Sequence, residues 1–419
     1  MKNLEKAIIL SLMLSGVGSS SAMALEWGLN NSGTTFDISE ASKSYSVHST
    51  TDKPMGIINT NNGILTANDI VLEVRSDSNE AAGFFNDGGS VYTGKNMEIT
   101  VVGGSGNFMV NGIVNGIVNQ STGANNASKF TAGNIKMDLT GYGSELYGII
   151  NGSHGINGNN AVDFKAGNIT IEANNDGNLI GITNKNGTSA ASTFTADDIN
   201  ITGSGKGYIV GIENQTSNQM RMKNVAIKLT KKENGSGHAS AGMLGISNTS
   251  ADFKSDNTTI ILDNINGNDK TTGINVGGNN AMINGDLNMR IIGNANADVI
   301  GVKGEAQVAG DVKAELSGGK NVTGILGTST IDGSVKMKIN SLGSACGINA
   351  GQVTVAHDVN MDISGQSGMV AGIASNDAIT VSGNLNINIH DTTAYQRMAA
   401  VIGNTNSATH ITIGGLQNN

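Results

Sequence analysis

One short pattern recurs along this chain at intervals of 23 to 34 residues: a glycine, then an apolar residue, and often an asparagine three places after the glycine. Its clearest copies are "YGIIN" (147–151), "IGITN" (180–184), "VGIEN" (210–214) and "LGISN" (244–248). The glycines that mark successive units are Gly56, Gly83, Gly116, Gly148, Gly181, Gly211, Gly245, Gly273, Gly301, Gly324, Gly347 and Gly372, followed by a degenerate copy, "AAVIG" (399–403). A repeat of this kind constrains the fold strongly, because each unit must bury its apolar face against its neighbours.

A second pattern lies between successive glycines, as in "FTAGNIKM" (130–137) and "FTADDINI" (194–201). Within it apolar and polar residues alternate, so that Leu287, Met289 and Ile291 share one face. This period of two predicts strands with one buried face. The composition agrees, since 59 glycines and one proline among many β-branched residues favour short strands and tight turns over helix.

The shortest units, of 23 residues, match one turn of a three-sided parallel β-helix with three short strands and three turns. Longer units then carry extra residues in polar, glycine-rich loops, such as "GSHGINGNNA" (152–161) and "KKENGSGHASA" (231–241). The sequence therefore predicts an all-β, single-stranded parallel β-helix of about thirteen coils, with loop insertions in its N-terminal half. Leucine-rich, hexapeptide and propeller repeats do not fit, because their periods or residue frames are absent.

Stacking places equivalent side chains of neighbouring coils about 4.8 Å apart. The isoleucine after each glycine is expected to form an inward apolar column. The asparagine of each unit is expected to form a hydrogen-bonded ladder with a structural role, as stacked amides do in cross-β assemblies. The predicted ladder consists of Asn59, Asn86, Asn119, Asn151, Asn184, Asn214 and Asn248.

The chain ends set the expected domain organisation. Residues 1–24 have a basic start, a short apolar run and small residues before Ala24, which predicts a secretory signal peptide cleaved after Ala24. Residues 25–54, with the only tryptophan, are expected to cap the N-terminal end of the helix. The β-helix is expected over 55–419, looped to about residue 270 and plainer over 271–419, with "ITIGGLQNN" (411–419) stopping within a coil.

Several classes of function are disfavoured by the residues. The net charge of −9 argues against nucleic acid, and no run after the signal is long and apolar enough for direct membrane insertion. The six histidines lack metal-ligand spacing, and no catalytic or cofactor-binding motif occurs. The lone Cys346 is expected to be a buried filler. Mixed charges at Lys313, Glu315, Lys336 and Lys338 favour surface ion pairing over acid–base catalysis. We therefore expect no enzyme activity, cofactor or metal.

With its signal (1–24), its Gly/Asn/Thr-rich units such as "FKAGNITIEA" (164–173) and its near-absence of cysteine, the chain resembles the autotransporter passenger domains of Gram-negative bacteria. The resemblance implies a right-handed helix, Sec-dependent export, and a place at the cell surface or outside the cell, often as an adhesin. We therefore expect a non-enzymatic passenger that presents its loops for adhesion or self-association. Host or neighbouring-cell surface molecules would be its partners. Such proteins end in an outer-membrane barrel, which this sequence does not supply, so a translocator would be required.

Two other interpretations stay open at this point. A carbohydrate-active β-helix enzyme would be favoured if the loops 152–161 and 231–241 together formed an acidic groove. A truncated autotransporter remnant would have no function of its own.

Overall fold

The chain folds as an all-β solenoid of parallel strands. The computed structural model describes residues 25–106, 108–116, 127–152, 162–185, 192–215, 218–232, 242–249, 251–278, 281–375, 378–391, 397–403 and 411–415. These residues contain 38 strands and no helix. The signal-peptide prediction, with its cleavage at Ala24, lies outside them.

The strands are arranged in three parallel rows, which we call ladders A, B and C. Ladder A has fourteen strands and contains the repeated glycines. Its strands are β1 (Leu25–Ser32), β4 (Lys53–Thr60), β7 (Ala81–Asn86), β10 (Met109–Asn115), β13 (Glu145–Gly152), β16 (Asn178–Lys185), β19 (Ile209–Gln215), β21 (Met243–Thr249), β23 (Thr271–Gly277), β26 (Asp298–Lys303), β29 (Asn321–Leu326), β32 (Ser344–Ala350), β35 (Met369–Ser375) and β37 (Arg397–Gly403).

Ladder B follows ladder A along the chain and is built from the shortest strands. They are β2 (Thr35–Ile38), β5 (Ile64–Ala67), β8 (Val91–Thr93), β11 (Lys129–Thr131), β14 (Asp163–Lys165), β17 (Thr193–Ala196), β24 (Ala281–Ile283), β27 (Ala306–Val308), β30 (Ser329–Ile331), β33 (Val353–Val355) and β38 (Ile411–Gly415). Three long strands run through both ladders B and C and join them into one 24-stranded sheet. They are β20 (Gln219–Lys231), β22 (Asp252–Asp263) and β36 (Ile379–Asp391).

Ladder C completes each turn of the chain. Its remaining strands are β3 (Lys43–Ser49), β6 (Ile70–Ser76), β9 (Met97–Ser105), β12 (Ile135–Tyr142), β15 (Ile169–Asn175), β18 (Ile199–Gly205), β25 (Leu287–Ile292), β28 (Val312–Ser317), β31 (Val335–Ser341) and β34 (Val359–Gly365). A coil is one ladder A strand with the ladder B and C strands that follow it, and we number the coils from β1. The predicted all-β, parallel solenoid architecture is thus confirmed.

The first coil is built from the segment 25–54, for which the sequence predicts a cap. Its strand β1 pairs with β4 in parallel, with Leu29 beside Ile57 and Asn31 beside Asn59. The reason is that "WGLNN" (27–31) carries the same glycine, apolar residue and asparagine as later units. This segment therefore has the coil geometry of the rest of the chain.

The fourth coil uses a different glycine from the one predicted. Ile113 pairs with Phe84 and with Ile149, so that Gly112, not Gly116, lies in register with Gly83 and Gly148. We call this row of repeated glycines in ladder A the glycine row. The prediction of Gly116 is wrong because "VNGIVN" occurs twice in overlapping frames, at 110–115 and 114–119. The structure uses the first frame, and Gly116 ends the strand with a left-handed φ of 133°.

The core consists of side-chain rows that run along the solenoid. Ile149, Ile182 and Ile212 occupy one row and are fully buried. In ladder B the rings of Phe130, Phe164 and Phe194 stack, with successive centroids 4.8 Å apart and planes within 2°. Burying one such aliphatic side chain contributes roughly 1.5–3 kcal/mol before ordering entropy is subtracted. The register therefore lets every coil add to one continuous apolar core.

The repeated glycine is required by close approach between the coils. A Cβ at Gly148 would lie 2.3 Å from the carbonyl oxygen of Gly181 and 2.9 Å from Ile171 Cδ1 on the opposite wall. Both separations are shorter than van der Waals contact, so only a hydrogen fits there. The glycine row thus lets ladder A lie close against ladder C.

Candidate interaction surfaces

A buried row of asparagines joins coils 1 to 8. It contains six of the seven predicted residues (Asn59, Asn86, Asn151, Asn184, Asn214 and Asn248), each fully buried. From Asn31 to Asn214, the side-chain nitrogen of each member donates to the amide oxygen of the next asparagine over 2.8–2.9 Å. The predicted Asn119 lies outside the described residues, and Asn115 occupies its place. Asn31, which was not predicted, begins the row.

The asparagine row also ties ladder A to ladder B. The same nitrogen of Asn59 donates to the carbonyl of Val91 at 3.1 Å, and that of Asn151 donates to Thr193 at 2.9 Å. At one end Thr34 Oγ1 donates to Asn31, and at the other Asn248 donates to the carbonyl of Ala251. The row stops because Val276 is the next residue in register. These amides hold the corner of each coil instead of facing a ligand.

A second row of Asn and Asp residues, which was not predicted from the sequence, lies at the corner between ladders B and C. Oδ1 of one corner residue accepts the backbone N–H of the next corner. Examples are Asn134 N to Asn96 at 3.2 Å, Asp286 N to Asn257 at 3.0 Å and Asp311 N to Asp286 at 2.9 Å. The pKa of Asp69 is lowered chiefly by the backbone N–H of Asn96. The sequence feature that indicates this corner row is the Asn or Asp residue directly before most ladder C strands, as in "AGNI" and "NGDL".

The outward face of ladder A is apolar in the looped half. In β13, Leu146 and Ile149 belong to the core, whereas Tyr147 and Ile150 pack on the other side of the strand. They form a second cluster with Val114, Ile180 and Val210, all at most 8% exposed. Phe85, Met109, Tyr208 and Leu244 surround this cluster and are partly buried. We call these nine residues the A-face cluster.

Two phenols and two carboxylates lie at the rim of the A-face cluster. Tyr147 donates a 3.3 Å hydrogen bond to Glu145, and Thr183 donates one of 3.2 Å to Glu213. Burial, with Glu213 as a second cause, raises the pKa of Tyr208 to about 12. Burial also raises the pKa of Tyr147, so both phenols stay protonated at neutral pH. The partly buried Tyr208 offers a ring and a hydroxyl for contact, and the protonated phenols do not form an acid–base pair.

The strand ends that flank the two predicted insertions lie on different sides of ladder A. Gly152 ends β13 on the side leading to ladder B, and Lys231 ends β20 on the side leading back to ladder A. The residues 153–161 and 233–241 lie outside those described, and so do His154 and His238. Lys231 itself is 1% exposed, and its Nζ donates to the carbonyl of Gly207 and lies 3.6 Å from Asp269. Burial lowers its pKa.

The charged group predicted in the plainer half lies on the outward face of ladder C. Lys313 pairs in register with Lys336, and Glu315 pairs with Lys338, on the adjacent strands β28 and β31. Across the part of the chain that the structure describes, none of these four side chains forms an ion pair within 4.0 Å. The expected ion pairing among them is therefore not found, and the charges face solvent.

The remaining candidate groups are dispersed. His48 lies 3.1 Å from Asp77 and His390 lies 2.8 Å from Asp362, each pair on the surface. Cys346 is buried, which raises its pKa to about 11. Among the residues described, no cluster of three or more His, Cys, Asp or Glu side chains has metal-binding geometry.

The residues that the structure describes contain no helix with the length and hydropathy of a membrane span. Comparisons of the chain with protein-family models, with curated proteins and with solved structures found no match.

Proposed function

We propose that this chain is an exported, non-enzymatic passenger protein, displayed at the cell surface or secreted, that uses the outward face of ladder A and the loops beside it for adhesion. We further propose that its three ladders wind as a right-handed parallel β-helix like that of autotransporter passengers. The observation that carries the proposal is the A-face cluster. A solvated outer sheet face is normally polar, whereas this one packs an apolar patch of five buried residues: Val114, Tyr147, Ile150, Ile180 and Val210. Its accessible margin consists of the partly buried Phe85, Met109, Tyr208 and Leu244.

The position of the insertions supports the same surface. The segments 153–161 and 186–191 follow strands of ladder A, and 233–241 precedes one. Binding residues are often carried on loops that a rigid scaffold holds in place. Tyrosines beside such loops are suited to recognition, because a phenol supplies apolar area and a hydroxyl together. The partners would be surface molecules of a host or of a neighbouring cell.

Export is the part of the proposal that rests on sequence. The signal at 1–24, cleaved after Ala24, would send the chain through the Sec pathway, and an outer-membrane translocator would then carry it to the surface of a Gram-negative cell. Intact producing cells should lose the protein to an added protease, while a periplasmic marker survives. Protection of the protein until the cells are lysed would contradict display.

Adhesion is tested with the purified mature chain on immobilised host or neighbouring cells. The Tyr208→Ala variant should bind at least fivefold more weakly than wild type, because it removes an aromatic contact from the rim of the A-face cluster. Tyr142→Ala is the matched control, since Tyr142 is 54% exposed at the C-terminal end of β12 in ladder C. Equal loss in both variants, or release of sugars from a polysaccharide panel by the wild type, would contradict the proposal.

A further inference from the structure

The outward face of ladder C divides into two halves of opposite charge. In coils 1 to 6 it presents Glu73, Glu98, Asp138 and Glu172 against Arg75 and Lys136, a formal charge of −2. In coils 7 to 13 it presents Lys228, Arg290, Lys313, Lys336 and Lys338 against Asp263, Glu315 and Asp362, a formal charge of +2. This polarity belongs to a single face of a chain whose net charge is −9.

Strand register arranges these charges in columns. One column contains Glu73, Thr100, Asp138, Glu172, Thr202, Lys228, Ile261, Arg290, Glu315, Lys338 and Asp362, one residue from each of coils 2 to 12. The column beside it contains Val71, Glu98, Lys136, Thr170, Asn200, Ala226, Thr259, Asn288, Lys313 and Lys336, from coils 2 to 11.

Several of these charges form no ion pair among the residues described. Glu98 is an exception, since it pairs with Lys136 at 2.8 Å, and Asp138 also interacts with Lys136. Over the described ranges, Arg290, Lys313 and Lys338 make no ion pair within 4.0 Å, and neither do Glu73 and Asp138. Lys313 also lies directly beside Lys336 in register, and like charges on adjacent strands destabilise each other. A partner that brings opposite charges to both halves of the face would pair these charges and offset the repulsion between Lys313 and Lys336.

We propose that this face binds a second copy of the chain, antiparallel and face to face, about a twofold axis between coils 6 and 7. Such an axis, parallel to the strands, reverses the order of the coils and keeps each column opposite itself, so that coil 2 meets coil 11, coil 3 meets coil 10 and coil 4 meets coil 9. Glu73 then opposes Lys338 of the second copy, Glu98 opposes its Lys313, and Asp138 opposes its Arg290. Twofold symmetry forms each of these pairs twice.

The charges select this register over its neighbours. In the chosen register no two like charges of the two columns face each other: Glu315 meets Thr100, and Lys336 meets Val71. Sliding by one coil in either direction would place Glu73 opposite Asp362 or Glu315, and such like-charge contacts disfavour wrong pairings. Twelve coils about 4.8 Å apart and strands about 20 Å long give a face on the order of 1,000 Å² per copy, enough for a specific dimer.

Sedimentation equilibrium of the purified mature chain tests the pairing. At low salt the chain should form a dimer whose dissociation constant rises at least tenfold in 0.5 M salt, because exposed ion pairs are screened. Asp138→Arg alone and Arg290→Asp alone should each weaken the dimer at least tenfold. The combined Asp138→Arg/Arg290→Asp variant should restore it, because the pair is re-formed with its signs exchanged.

Two further sets of variants make the outcome decisive. Glu73→Lys and Lys338→Glu should behave in the same way, alone and combined. Glu172→Lys changes the net charge equally but opposes Ile261, so it should weaken the dimer no more than threefold. A monomer at every concentration in low salt, a dimer indifferent to these changes, or combined variants that stay monomeric would overturn the proposal. Heparin binding by a chain that never self-associates would instead identify the basic half as a polyanion site, and would also overturn it.

Discussion

Asn115 donates a 2.9 Å hydrogen bond to the side-chain oxygen of Asn151, although 36 residues separate the two in sequence. Both amides are fully buried, and the same link is repeated between the other coils of the looped half. A single asparagine in this row therefore supports three partners: the amide before it, the amide after it, and a backbone carbonyl of ladder B.

Replacing one amide of the row tests its structural role. Asn151→Ala should lower the free energy of unfolding by about 2–4 kcal/mol, because it leaves the carbonyl of Thr193 and the amide of Asn184 buried and incompletely bonded. Denaturant titration followed by circular dichroism measures the change. Asn200→Ala, at an exposed asparagine of β18, is the control and should cost less than about 0.5 kcal/mol. Equal effects would show that the row contributes nothing.

The glycine row predicts a sharp contrast between two alanine substitutions. Gly148→Ala should cost roughly 1–3 kcal/mol, since the added methyl group would overlap the Gly181 carbonyl and Ile171. Gly351→Ala should be close to neutral, because among the residues described no atom beyond its chain neighbours lies within 4 Å of the place that its methyl group would occupy. Thermal unfolding of the two variants gives the comparison. Tolerance of alanine at Gly148 would mean that the coils are not packed this closely.

Tyr92 offers a stabilising substitution. Its ring is fully buried, with centroids 4.6 Å from Phe84 and 4.7 Å from Phe130, and its hydroxyl has no hydrogen-bond partner among the residues described. Tyr92→Phe should therefore raise the free energy of unfolding by about 1 kcal/mol. The same change at the exposed Tyr142 should have no effect. A loss of stability in Tyr92→Phe would reveal a bond to that hydroxyl.

Lys231 predicts a pH dependence of stability. Burial lowers its pKa in the folded chain, so between the folded and unfolded pKa values the unfolded chain binds more protons, and stability rises with pH through that window. The window ends near the ordinary lysine pKa of about 10.4. Lys231→Met removes this contribution, so the stability of wild type relative to Lys231→Met should increase from pH 7 to pH 9.5. A difference that is independent of pH would contradict the lowered pKa.

Much of the fold follows from the period of the apolar residues and from the register in which the repeated units stack. Alternation of apolar residues predicts the strands, and a minimum unit of 23 residues predicts three strands per coil. The asparagine spacing predicts the buried row, because only a stacked coil brings Asn151, Asn184 and Asn214 together. Register is predictable because a shift of one residue would move every buried side chain of a strand to the solvent face.

Prediction from sequence fails where local patterns are degenerate. The two overlapping copies of "VNGIVN" would place the same side chains in register with the neighbouring coils. The local sequence pattern therefore does not distinguish Gly112 from Gly116. The sequence assigns 25–54 to a cap because its "GLNN" stands beside the only tryptophan, and the structure shows that this segment also has the register of a coil. The A-face cluster was also missed, since Tyr147 and Ile150 belong to nearly continuous apolar runs in which period alone does not distinguish the inner from the outer side.

The stacking of the coils is tested most directly by a crystal structure of the mature chain. The result that we predict has Ile149, Ile182 and Ile212 in successive coils, about 4.8 Å apart along one axis, in a solenoid with a right-handed turn. Those three isoleucines at unrelated sites, or strands joined as antiparallel hairpins, would contradict the account.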